Sequence, residues 1–100
     1  MATTSKALFR GAASTSSTTL YTVPSSTTTI VTNIVVDNTS ASAQTFTINL
    51  DGVALLSSAA IDANASAFFD LKQALATTKT ITGLASATSV TFHISGVEIN

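Results

Sequence analysis

From Thr18 to Val36 the side chains are overwhelmingly β-branched, hydroxylic or aromatic: "TTLYTVPSSTTTIVTNIVV" carries no charge and holds the only proline of the chain. Val, Ile and Thr lose χ1 freedom in a helix and pack well on a pleated surface, so the stretch is predicted as strand. Pro24-Ser25-Ser26 splits it in two, because proline locks φ and has no N–H to give a ladder. Alternate positions from 28 to 36 put Ile30, Thr32, Ile34 and Val36 on one face and Thr29, Val31, Asn33 and Val35 on the other. Both faces are semi-apolar. That pattern suits a central strand whose second face is covered by an arm or a neighbouring subunit.

The rest of the chain follows the same period. In "QTFTINL" (44–50) Phe46, Ile48 and Leu50 alternate with Thr45, Thr47 and Asn49, a half-buried strand. Asp51-Gly52 then supplies the two positive-φ residues of a type I′ turn, and "VALL" returns as the partner strand. A turn at Asp62 to Asn64 leads into "ASAFFDL", with Phe69 and Leu71 on one face and Phe68 on the other. "LKQALA" is predicted to form a single helical turn before "KTITGL" resumes extended structure. In "SVTFHISGVEI" Val90, Phe92 and Ile94 point inward, while Val97 and Ile99 are out of phase by one residue. A β-bulge at Ser95-Gly96 would bring them back inward.

About seven or eight short strands at intervals of roughly ten residues, separated by turn chemistry, predict an all-β antiparallel β-sandwich that is jelly-roll-like. The sandwich is expected over residues 18–100, with residues 1–17 as an extended N-terminal arm. Leu8 and Phe9 are two apolar groups that a free tail has no reason to carry. Either the arm docks on something, or the segment is a short extra edge strand of the same domain.

Composition bounds what such a domain can do. One hundred residues make one domain with a single thin core. Nineteen Thr, 14 Ser and 16 Ala stand against only 9 charged residues, yet the mean hydropathy of +0.46 is too high for a disordered chain. A net charge of −1, with no basic patch, gives no field to hold nucleic acid. No apolar run approaches the ~20 residues of a membrane span, and no apolar segment follows Lys6 and Arg10 as a secretory signal would require. Neither a nucleic-acid nor a membrane partner is expected. The absence of cysteine removes disulfides and thiolate zinc sites.

The inventory for catalysis is poor. His93 is the only histidine and lies on a strand between Phe92 and Ile94, projecting away from the core, where it reads as a surface or interface residue. Ser95-Gly96 lacks the nucleophile-elbow pattern. The five acids, Asp37, Asp51, Asp62, Asp70 and Glu98, show no paired spacing, and Asp62-Ala63-Asn64 lacks the later Glu of a calcium loop. Asn38-Thr39-Ser40 and Asn64-Ala65-Ser66 are formal glycosylation sequons of the sort that a chain one-third Ser and Thr produces by chance. No enzyme activity, cofactor or metal is expected.

What is positive is the surface. Thr, Ser, Ala and Asn lose little side-chain entropy when ordered against a partner, and few Lys and Arg leave trypsin-like proteases few places to cut. Both properties suit a component of a large assembly. The segments "LYTVP", "T-x-I-V-T-N-I-x-V-x-N-T", "LDGVAL" and "FHISGVEI", within a similarity over roughly residues 8 to 99, resemble small structural proteins encoded in the virion gene clusters of tailed bacteriophages. The resemblance implies a non-enzymatic virion protein: a capsid decoration (cement) protein on the outer surface of the head, or alternatively a tail, baseplate or fibre module with an adhesive or carbohydrate-binding role. The partners it implies are the major capsid protein or other virion proteins. A compact domain without a stalk favours the head. The semi-apolar second faces favour a homo-oligomer. Lys6, Leu8, Phe9 and Arg10 are the candidate partner-binding residues, on an arm whose deletion (residues 1–10) is expected to abolish particle binding while sparing the fold.

Overall fold

Eight strands carry the chain, in a computed structural model that describes residues 2–100. They are β1 (Thr3–Ala12), β2 (Thr18–Thr22), β3 (Thr28–Asn38), β4 (Gln44–Leu50), β5 (Val53–Ile61), β6 (Ser66–Leu75), β7 (Thr80–Ala85) and β8 (Val90–Ile99). They form two four-stranded antiparallel sheets, β1-β8-β3-β6 (sheet A) and β2-β7-β4-β5 (sheet B). This is the strand order of a jelly roll, which packs two Greek keys as a sandwich. Only β4 and β5 are at once consecutive in sequence and neighbours in a sheet. Asp51 and Gly52 join them with φ of 55° and 73°, as the turn chemistry requires.

The N-terminal segment is not an arm. Residues 3–12 pair along their length with β8 as an edge strand of sheet A, and Ala2 exchanges both backbone hydrogen bonds with Asn100. The reason is visible at Leu8, which is 7% exposed and belongs to the core. Its side chain lies over Gly96, where a Cβ would stand 2.8 Å from Leu8 Cδ1 and collide with the carbonyl oxygen of Ile30. Gly96 is thus the hole into which the strand seats. Removing residues 1–10 would strip the edge of β8 and empty that hole.

Two further expectations change. "LKQALA" forms no helical turn: β6 continues extended to Leu75, which is buried, because pairing with β3 outweighs a weak local helix preference. The irregularity expected at Ser95-Gly96 lies instead in the flanking strands. While β8 advances one residue there, β1 advances two (Ala7 to Phe9), β3 two (Val31 to Asn33) and β6 three (Asp70 to Gln73). The crease crosses all of sheet A, and β8 passes through it in strict alternation. Gly96 and Glu98 therefore point inward, and Val97 and Ile99 outward.

The same crease explains the two semi-apolar faces of β3. Thr29 and Val31 are buried before it and Ile34, Val36 and Asn38 after it. The inward set changes parity at Thr32. Register shifts also interrupt β2 and β5, so every edge strand is irregular, a device that blunts edge-to-edge pairing.

Phe46, Phe69 and Phe92 fill one end of the core, with Phe46 6.2 Å from each of the others between ring centroids. The same core holds Ile34, Val36, Ile48, Val90 and Ile94, and further along β7 Ile81, which stands opposite Leu50 and Tyr21.

Candidate interaction surface

The candidate residues of the N-terminal segment separate once they are placed on β1. Leu8 is core and unavailable to a partner, and Phe9 is half-buried against the core. Arg10 is exposed, opposite His93 on the outer face. Lys6 reaches back to Glu98, with Nζ 3.4 Å from Oε2.

Glu98 anchors a polar cluster that sequence reasoning missed. It is 9% exposed and accepts a hydrogen bond from the Tyr21 hydroxyl across the two sheets. Tyr21 Oη also lies 2.8 Å from Thr29 Oγ1. A phenol has one proton and it goes to Glu98, so Thr29 donates to Tyr21. Burial first, and the Glu98 hydrogen bond second, push the Tyr21 hydroxyl up to about 12. The signal was present: unbroken alternation from Val90 reaches Glu98 on the inward side.

Asn38 is the second buried polar residue with a structural task. It is fully buried; its Nδ2 donates to the carbonyls of Ser42 (2.8 Å), Asp62 (3.1 Å) and Ile61 (3.4 Å). Its Oδ1 accepts from Ser40 N and Oγ. The first sequon is therefore sealed inside a loop anchor. Asn64 is exposed at a turn, with φ of 54°.

The two outer faces differ in chemistry. Sheet B presents Thr45, Thr47 and Asn49 from β4, Thr80, Thr82 and Leu84 from β7, and Thr19 and Thr22 from β2. Sheet A presents rows that run across its strands: Ser5, Val97, Ile30 and Ala74; then Arg10, His93, Val35 and Phe68. Ile30, Val35, Val97 and Ile99 are half-buried without packing on the core, and Phe68 is 74% exposed. A third feature is the β4–β5 hairpin, where Val53 (68% exposed) and Leu55 (39%) stand free.

His93 has no acid beside it among its strand partners, Arg10 and Val35. Among the described residues no three His, Asp or Glu gather as metal ligands and no pocket opens in the surface. What the arrangement offers is flat or convex contact area. No protein-family model and no curated protein matches this chain.

Proposed function

We propose that this protein is a non-enzymatic structural component of a tailed-phage virion, a decoration protein that binds the outer surface of the assembled head. The observation that carries the reading is a short-side-chained jelly roll whose large exposed apolar groups, Val53, Leu55 and Phe68, lie on its sheet edges and one outer face. Such groups on a small monomer mark contact sites. The sequence resemblance supplies the virion.

In this reading Val53 and Leu55 dock on the capsid lattice. A protein that binds the assembled lattice but not free subunits stabilises the lattice by mass action, and many copies cement a shell with modest affinity each. Purified protein should co-sediment with assembled heads and not with unassembled capsid subunits, and Val53→Asp with Leu55→Ser should weaken that binding at least tenfold, roughly the loss of two buried aliphatic contacts. Immunogold label on intact particles should spread over the heads. Label confined to tails or tips would replace this reading with the adhesive module.

A further inference from the structure

We infer that the outer face of sheet A is a self-complementary interface that joins two copies of this chain around a two-fold axis parallel to the strands. This goes beyond the assignment to a virion and does not depend on it.

The first observation is the contrast between faces. Hydroxyls and Asn49 hold the outward positions of β2, β4 and β7 in sheet B apart from Leu84, whereas Ile30, Val35, Phe68, Val97 and Ile99 stand at outward positions of sheet A. Among the described residues no arm crosses them, because the segment that would have served as an arm lies in the plane of the sheet as β1.

Charge is the second. On the outer face the half built by β1 and β8 carries Arg10 and His93 and no acid, while the half built by β3 and β6 carries Asp37 and Asp70, with Lys72 in the crease of β6. A two-fold axis between β8 and β3 lays β1 of one copy over β6 of the other, so each positive half meets a negative half. Arg10, His93, Val35 and Phe68 share one row. The axis therefore sets Arg10 over the Phe68 ring of the second copy, beside Asp70, and His93 over Val35. The next row, Ala7, Ser95, Asn33 and Asp70, is polar and sets Ser95 over Asn33; the row after it sets Val97 against Ile30. A guanidinium on an aromatic face next to a carboxylate is a favourable contact, and the axis makes it twice.

Size is the third. Four strands spaced about 4.8 Å and about ten residues long offer roughly 600 Å² of face, creased near its middle at Ser95, near the ~800 Å² per partner of a standard interface. Sheets stacked face to face in this way align within about 30° at a separation of about 10 Å. One interface of this size gives a dimer that dissociates on dilution.

Sedimentation velocity from micromolar to millimolar concentration tests the inference. The wild-type chain should pass from monomer to dimer; a monomer throughout, or a trimer, overturns it. Arg10 and Asp70 are exposed, so Arg10→Asp and Asp70→Arg leave the fold intact, and each should weaken dimerisation roughly tenfold. The double variant should recover most of that loss. Additive weakening in the double variant overturns the pairing. Thr82→Asp on sheet B should leave the dimer unchanged, and loss of the dimer in that variant would move the interface to the other face.

Discussion

The two ends of β8 sit in the same sandwich and are held in opposite ways. At one end Phe92, fully buried, meets Phe46 edge-on at 6.2 Å. Six residues along the same inward face, about 20 Å away at 3.3 Å per residue, Glu98 gathers Tyr21, Thr29 and Lys6. The aromatic end gains from area removed from water and depends on shape. The polar end gains little net energy from its hydrogen bonds and loses much if one partner is taken away. It lies where Ala2 pairs with Asn100 and where β1 and β2 flank the core. The difference teaches that the apolar end supplies bulk stability, while the polar end fixes which strands close the sandwich.

That division can be broken most directly at the apolar end. Phe92→Ala should cost about 3–5 kcal/mol in denaturant unfolding, the range for emptying a buried aromatic site. Glu98→Ala should cost about 1–3 kcal/mol by removing the charged acceptor of the Tyr21 hydroxyl from a buried site and leaving it only Thr29 Oγ1, 2.8 Å away, to donate to. Adding Tyr21→Phe to it should recover part of the loss, and no recovery would mean that the end is held by packing alone. The Tyr21 hydroxyl also sharpens the comparison through pH. Its folded value of about 12 exceeds its ordinary 10.0, so the neutral form is the one the fold favours. The corresponding stability is complete below pH 10 and is lost as pH rises towards 12. Unfolding followed from pH 9 to 12 should show this loss in the wild type and a flatter profile in Tyr21→Phe. The smallest effect is expected in the β6–β7 turn at the polar end, where Thr78 holds φ of 71°. Thr78→Asn should raise stability by roughly 0.5–1 kcal/mol, because a β-branched residue is strained in the left-handed region and Asn tolerates it.

Much of the fold was legible in local pattern. Phe46, Ile48 and Leu50 alternate as their strand requires, Asp51-Gly52 forms the hairpin turn, and Phe68 and Phe69 point to opposite faces as read. The outward placement of His93 was legible too. The errors cluster at the crease. The expected bulge was displaced from Ser95-Gly96 to the strands beside them, and that error hid Glu98, since it turned the inward positions outward. At Thr32 the same crease made one strand look apolar on both sides. A bulge is a relation between strands, and a single strand's pattern carries only its shadow.

By itself the sequence determined that this chain is built of strands, because β-branched and hydroxyl side chains disfavour helix over most of its length, and it determined the one hairpin, because that turn is encoded in two adjacent residues. Only the tertiary structure decided that residues 3–12 close sheet A, that Leu8 seats over Gly96, and that Glu98 faces Tyr21. Those pairings join residues nearly a whole chain apart, and their energy comes from a hole, a crease and a buried hydrogen bond that exist only once both sheets have met.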